Sequence, residues 1–131
     1  MIIILVGLSG SGKTWYAKNK LKYDYFVDDP KCLFDFPSSL GQDEVLVIAD
    51  PTLCVDEIRN NIDMSRYPGH SIQFIFFEND PIKCWSNVEH RQKNGDRRSI
   101  SKNKMFQQSL KYNIPEEYEP IQIWSPYDQD D

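Results

Sequence analysis

The stretch Gly7-Leu8-Ser9-Gly10-Ser11-Gly12-Lys13-Thr14 matches the pattern G-x-x-x-x-G-K-[ST] at every fixed position. Its flanks are those such a loop needs. Ile2-Ile3-Ile4-Leu5-Val6 is an apolar, β-branched run that reads as a buried strand. Residues 15–21, with Lys18 and Lys20, read as the helix that follows. Glycines let the backbone curl until its N–H groups point inward as an anion nest, and a helix N-terminus adds further N–H groups and a partial positive charge. Lys13 is then placed to reach the β- and γ-phosphates of a nucleotide, and the Thr14 hydroxyl to ligate Mg²⁺. The backbone of Gly7, Ser9, Gly10, Ser11 and Gly12 completes the expected phosphate cradle. The competing reading is a glycine-rich turn that binds nothing, and the full match in this setting argues against it.

A chain of 131 residues that is 40% hydrophobic and 13% aromatic holds one domain with a real core, residues 1–131. A formal net charge of −5 argues against broad electrostatic binding to nucleic acid, while leaving room for a local basic groove. Cys32, Cys54 and Cys84 are odd in number and lack metal-ligand spacing, so they read as reduced thiols of a cytoplasmic protein. The apolar N-terminus is too short for a signal peptide, and no segment is long enough to span a membrane. Asp128-Gln129-Asp130-Asp131 reads as a solvated acidic tail.

Strand-like and helical runs alternate along the chain. Residues 25–27 read as a second strand ending at Asp28-Asp29-Pro30, and 31–43 as loop with at most a short helical turn. A buried strand follows over 44–49, ending at Asp50. Residues 55–64 read as a helix with Ile58 and Ile62 at i,i+4 spacing, broken at Tyr67-Pro68-Gly69. A fourth strand covers 71–77. Asp80 as N-cap and Pro81 at the first helical position start a helix that runs to about Lys93 and stops near Asn94-Gly95. A further helix is expected over 102–112, and a short final strand over 120–124. This alternation predicts an α/β fold with a mostly parallel sheet covered on both faces. Ligands of such sheets bind at the carboxyl ends of the strands. The glycine loop, Asp28 with Asp29, and Asp50 all fall there.

Phosphoryl transfer needs in-line positioning, charge neutralisation and a carboxylate to accept the acceptor's proton. Asp28 and Asp29 stand where such a base is needed. Asp28 is the first choice because it directly follows the strand; Asp29 precedes Pro30, which biases it to extended backbone. A simple turn is the other reading of the pair. Asp50 ends a very apolar strand and reads as a holder of Mg²⁺ or its water, or as the start of a turn into the next helix. From His90 to Lys104 the chain carries Arg91, Lys93, Arg97, Arg98, Lys102 and Lys104 against Asp96 alone. Arginines on a cover over residues 89–104, hinged at Asn94-Gly95, can clamp phosphates and stabilise charge developing on transfer. The alternative is a solvated helix end meeting the helix dipole. A nucleic-acid groove using Trp85 and His90 is a third reading, although Trp85, Phe74, Phe76, Phe77, Trp15 and Tyr16 read mainly as packing. In an architecture resembling mononucleotide kinases, Trp124 to Tyr127 would lie near the nucleotide base, and His70 reads as a surface loop residue.

Taken together, these residues resemble the kinase domain of phage-type polynucleotide 5′-hydroxyl kinases, and more broadly small P-loop kinases acting on nucleic-acid or nucleoside hydroxyls. The resemblance rests on the loop of residues 7–14, the strand ending in Asp28-Asp29, and Val47-Ile48-Ala49-Asp50-Pro51-Thr52. It continues through Val88-Glu89-His90-Arg91-Gln92-Lys93-Asn94-Gly95 and the helix around Met105-Phe106. It implies a three-layer P-loop fold with a five-stranded sheet in the order 2-3-1-4-5. It also implies ATP and Mg²⁺ as cofactors, and transfer of the γ-phosphoryl group to a nucleic acid, nucleotide or nucleoside. Lys13 and Thr14 would bind phosphate and Mg²⁺, one of Asp28 and Asp29 would be the base, and Asp50 would hold substrate or metal. Arg91 with Arg97 or Arg98 would be the arginines of the lid. The chain departs from the family pattern at Trp15, where many relatives carry a second hydroxyl. It departs again at Pro30-Lys31, where an arginine often holds the acceptor phosphate. The other expectations that stand are a kinase with a small nucleoside or nucleotide acceptor, and a nucleotide-binding interaction protein without transfer.

Overall fold

A computed structural model of the chain describes residues 1–30, 35–95 and 101–123. Arg97, Arg98, Lys31, Cys32, the Trp124–Tyr127 loop and the acidic tail lie outside the described residues. The described chain is an α/β structure built on a parallel sheet. Strand β1 (Ile2–Val6) is buried along its whole length. That is what a central parallel strand demands, because both of its faces must be covered by apolar neighbours. It pairs in parallel with β3 (Leu46–Ala49) on one side and β4 (Ile72–Phe76) on the other, so Ile2 lies opposite both Leu46 and Ile72. The edge strand β2 (Tyr25–Asp28) adds in parallel to β3, giving the order β2-β3-β1-β4 in a four-stranded sheet.

The alternation of side chains along β1 divides the core between two layers. Ile2, Ile4 and Val6 pack on one face with Leu53, Cys54, Cys84, Val88 and Met105; Ile3 and Leu5 pack on the other with Ala17 and Phe77. Helix α1 (Lys13–Lys20) therefore covers one face. A short 3-10 helix (Pro51–Cys54), α3 (Pro81–Lys93) and α4 (Lys102–Lys111) cover the other. Between them lies the short α2 (Asp56–Asn60). Aromatic side chains complete both layers, with Tyr16 edge-on to Phe77 at 5.5 Å and Tyr118 against Phe76 at 4.7 Å.

The helix expected over 81–93 has those bounds, with Pro81 in the first turn and the Asp80 carboxylate accepting from the Lys83 N–H at 3.0 Å. Ser101 caps α4 in the same way through the Lys104 N–H. The helix expected over 55–64 is different. Pro51 opens a 3-10 turn, α2 is confined to Asp56–Asn60, and Ile58 is left 46% exposed. Among the described residues, the fifth strand expected over 120–124 is represented by one parallel bridge, Ile121 to Phe77. Its hydrogen bonds run from the Ile121 N–H to Phe76 O and from the Glu78 N–H to Ile121 O. His70 is not a plain surface residue. It is half-buried, with Nδ1 2.9 Å from the Met1 amino group and Nε2 3.1 Å from Leu40 O. Because an ammonium group can only donate, Nδ1 must accept, and the ring proton sits on Nε2 facing the carbonyl. No helix among the described residues is long and apolar enough to cross a membrane.

Candidate functional site

The glycine loop leaves the carboxyl end of β1 and runs straight into α1. Gly10 and Gly12 take φ of +83° and +95°, values that L side chains rarely adopt, so the loop can be built only with glycine at these turns. Gly12 is also the N-cap of α1, and no side chain caps that helix. The amides of its first turn therefore face the loop rather than a capping residue. The loop closes on itself through the Ser11 N–H, which donates to Leu8 O at 3.1 Å. The buried Ser11 side chain lies over Gly7, where an added Cβ would meet its Oγ at 2.6 Å.

Lys13 is the buried cation of this loop. Its Nζ donates to Gly7 O at 2.6 Å and Leu8 O at 2.9 Å, and lies 3.4 Å from Ser11 Oγ. Burial holds its ammonium group below the ordinary lysine range; Cys54, Cys84, Asp28 and Asp50 act in the opposite sense. Burial also pushes the Cys54 and Cys84 thiols up to about 12, so both are neutral at ordinary pH. The carboxylates of Asp28 and Asp50 are then the negative charges that oppose the desolvation of Lys13.

Next to it, the Thr14 hydroxyl donates to Asp28 Oδ2 at 3.3 Å. Asp28 is the last residue of β2 and is exposed, with Ala49 of β3 opposite it. Asp29 turns the chain. Its φ is +51°, and its N–H donates to Ala49 O at 2.7 Å. That left-handed turn, which Asp tolerates better than most residues, ends the strand and leaves the Asp28 carboxylate over the start of α1. The extended backbone expected of Asp29 from its position before Pro30 does not occur. The hydrogen bond to β3 outweighs that local bias.

At the end of β3, Asp50 is half-buried and caps the 3-10 helix, with Oδ1 accepting from the Thr52 N–H at 3.0 Å and Thr52 Oγ1 at 2.8 Å. Asp50 thus starts the turn into the 3-10 helix, and that contact occupies one of its two carboxylate oxygens. Arg91 is half-buried near the end of α3, on the stripe of Cys84, Asn87 and Val88 that faces the core. Residues 89–93 of the expected lid belong to α3 and 102–104 to α4. Lys13, Thr14 and Asp28 are thus brought together, with Asp50 close enough to act on Lys13 electrostatically.

Three contacts of this region were missed by sequence reasoning. Asn87 is buried on α3, and its Nδ2 donates to Gly10 O at 2.8 Å across 77 residues. Here α3 and the loop are in closest approach, since an added Cβ on Gly10 would come within 2.3 Å of Cys84 O. The Tyr112 hydroxyl lies 3.1 Å from Val6 O, at the foot of the loop, and bonds Phe77 O as well. Arg59, buried, donates to Leu53 O at 2.9 Å and Asn113 O at 3.2 Å, pairs with Asp56, and lies 5.0 Å from the centre of the Phe76 ring. A polar residue on the apolar stripe of α3 is a sequence signal for Asn87; Tyr112 and Arg59 carry none.

Among the described residues, no group of three or more His, Cys, Asp and Glu side chains gathers as a metal site. Comparison with protein-family models, with curated proteins and with solved structures gives no match.

Proposed function

We propose that the chain is an ATP-dependent phosphotransferase with a P-loop kinase fold, resembling polynucleotide 5′-hydroxyl kinases, that acts on a hydroxyl of a nucleic acid. The observation that carries this reading is the convergence of the buried Lys13 ammonium, the Thr14 hydroxyl and the Asp28 carboxylate at the ends of two different strands. A loop that merely turned the chain would need neither a desolvated cation nor an exposed carboxylate on its threonine. In the same reading, the Ile121–Phe77 bridge is the start of the fifth strand, giving the order 2-3-1-4-5.

The residues present suit a bound triphosphate. ATP supplies the transferable γ-phosphoryl group, and Mg²⁺ neutralises its charge. Backbone amides of residues 9–14 would hold the phosphates, Lys13 would exchange its carbonyl partners for β- and γ-oxygens, and Thr14 would ligate Mg²⁺. Asp50 would hold a metal-bound water through its second oxygen. Asp28 would accept the proton of the attacking hydroxyl as that oxygen bonds to the γ-phosphorus and the bond from the γ-phosphorus to the β,γ-bridging oxygen breaks, releasing ADP. Arg91, together with Arg97 and Arg98 on the following segment, would offset charge on the transferred group.

A small nucleoside or nucleotide acceptor is the second reading. It is favoured by the net charge of −5 and by lysine rather than arginine at position 31, since lysine is a poorer bidentate clamp for an acceptor phosphate. The test is incubation with γ-labelled ATP, Mg²⁺ and a panel of 5′-hydroxyl oligonucleotides, nucleosides and monophosphates. Label is expected in the oligonucleotide. Label in a nucleoside or monophosphate moves the conclusion to the second reading. ATP binding with transfer to none of them makes the chain a nucleotide-binding interaction protein.

A further inference from the structure

We propose that Asn87 is a positioning residue of the phosphate loop, setting the orientation of the Gly10–Ser11 peptide from the lid helix α3. This rests on the reading of residues 7–14 as a triphosphate cradle. The geometry is a relay of hydrogen bonds. Asn87 Nδ2 holds Gly10 O at 2.8 Å on the side of α3. The peptide unit is planar and trans, so the N–H of Ser11 must point opposite to that carbonyl. It points across the loop, where it meets Leu8 O at 3.1 Å. Leu8 O is also a partner of Lys13 Nζ, at 2.9 Å. One side chain of α3 thereby fixes which way a cradle amide faces, and through Leu8 O it reaches the lysine.

The chemistry leaves little freedom. A carbonyl accepts only, so the amide must present its NH₂ group. A glycine with φ of +83° has no side chain to hold its peptide in place. Its own hydrogen-bond partner must do so. The approach of Cys84 O, 2.3 Å from where a Gly10 Cβ would sit, puts the loop directly against the helix backbone. Asn87 is also one helical turn before Arg91, so the helix that carries the first lid arginine is the one that grips the loop.

Two substitutions separate donor chemistry from shape. Asn87→Asp keeps the shape and removes the donor; Asn87→Gln keeps the donor and adds a methylene. Mg·ATP affinity by titration calorimetry should fall by about tenfold or more in Asn87→Asp and by no more than about threefold in Asn87→Gln. The acceptor KM should be unchanged in both. In the nucleotide-free protein, amide hydrogen exchange at Ser11 and Gly12 should speed up in Asn87→Asp by a larger factor than at Ile3 and Ile4 of β1. A purely structural role would loosen both sites together. Wild-type affinity in Asn87→Asp, or an equal loss in both variants, overturns the proposal. If either variant fails to fold, Asn87→Ser decides, because its hydroxyl is too short to reach Gly10 O. A severalfold loss with selective loop exchange supports the role, and wild-type behaviour ends it. Absence of Mg·ATP binding by the wild type would instead overturn the reading of the loop itself.

Discussion

Two regions at the strand ends of this sheet carry polar residues and use them in opposite ways. At the carboxyl end of β4, Glu78, Asn79 and Asp80 each hold a different piece of scaffold. Glu78 Oε1 accepts from the Ile123 N–H at 3.1 Å, Asn79 Nδ2 donates to Ser109 O at 2.8 Å, and Asp80 caps α3. At the ends of β1 and β2, Lys13, Thr14 and Asp28 turn toward one another and toward the loop. A carboxylate at a strand end is therefore no marker of chemistry by itself. What separates the two regions is the kind of partner: backbone of other elements alone in one, and in the other a side-chain pair, Thr14 of α1 with Asp28 of β2, beside the backbone carbonyls that hold Lys13. Asp50 stands between them, with one oxygen spent as a cap.

The contrast is broken or sharpened by substitution. The largest effect is expected from Asp28→Ala, which should lower phosphoryl transfer by about 10²–10⁴-fold with Mg·ATP affinity and melting temperature little changed. Asp80→Ala, the same change at the other strand end, should cost ~1 kcal/mol of stability through its lost cap and leave transfer intact. Steady-state kinetics beside denaturant titration of the two variants checks this; equal kinetic damage from both would erase the distinction. Next comes Gly10→Ala. A left-handed φ and a Cβ directed at Cys84 O should destabilise the fold by at least about 2 kcal/mol, read from denaturant midpoints. Tyr112→Phe removes the hydroxyl shared by Val6 O and Phe77 O and should cost about 1–3 kcal/mol.

The smallest effect is a pH dependence. Burial lowers the Lys13 pKa from 10.5 in the folded protein, and bound phosphate would raise it again. Between the lowered value and 10.5 the unfolded chain binds more protons than the native one, so this group makes stability rise with pH across that window. Mg·ATP affinity should move the other way, falling by at most about tenfold per pH unit. Calorimetric titrations and melting curves over alkaline pH test the opposed signs, and parallel trends would remove Lys13 as their source.

Much of this was legible where the signal is local. The run of β-branched residues in β1, Asp80 with Pro81 before α3, and the glycine motif each act within a few neighbours, and each element formed where expected. The helix expected over 55–64 failed for a non-local reason. The spacing of Ile58 and Ile62 suggested an apolar face, but Arg59 takes the inward position. Its partners include Asn113 O, 54 residues away, and the Phe76 ring. Asp29 followed the hydrogen bond from β3 rather than the bias of the following proline. Asn87 stood out only as a polar residue on the apolar stripe of α3, and Tyr112 carried no signal, because their partners lie 77 and 106 residues distant. Asp28 was picked from strand position alone; the hydrogen bond it accepts from Thr14 was not expected from the sequence.

The central claim is that the loop between β1 and α1 holds a triphosphate through Lys13. Titration calorimetry of the wild type and Lys13→Ala with Mg·ATP tests it most directly. The account predicts one saturable site in the wild type, with affinity lost by at least about a hundredfold in the variant. No binding heat at millimolar Mg·ATP, or equal affinity in the two proteins, would contradict it.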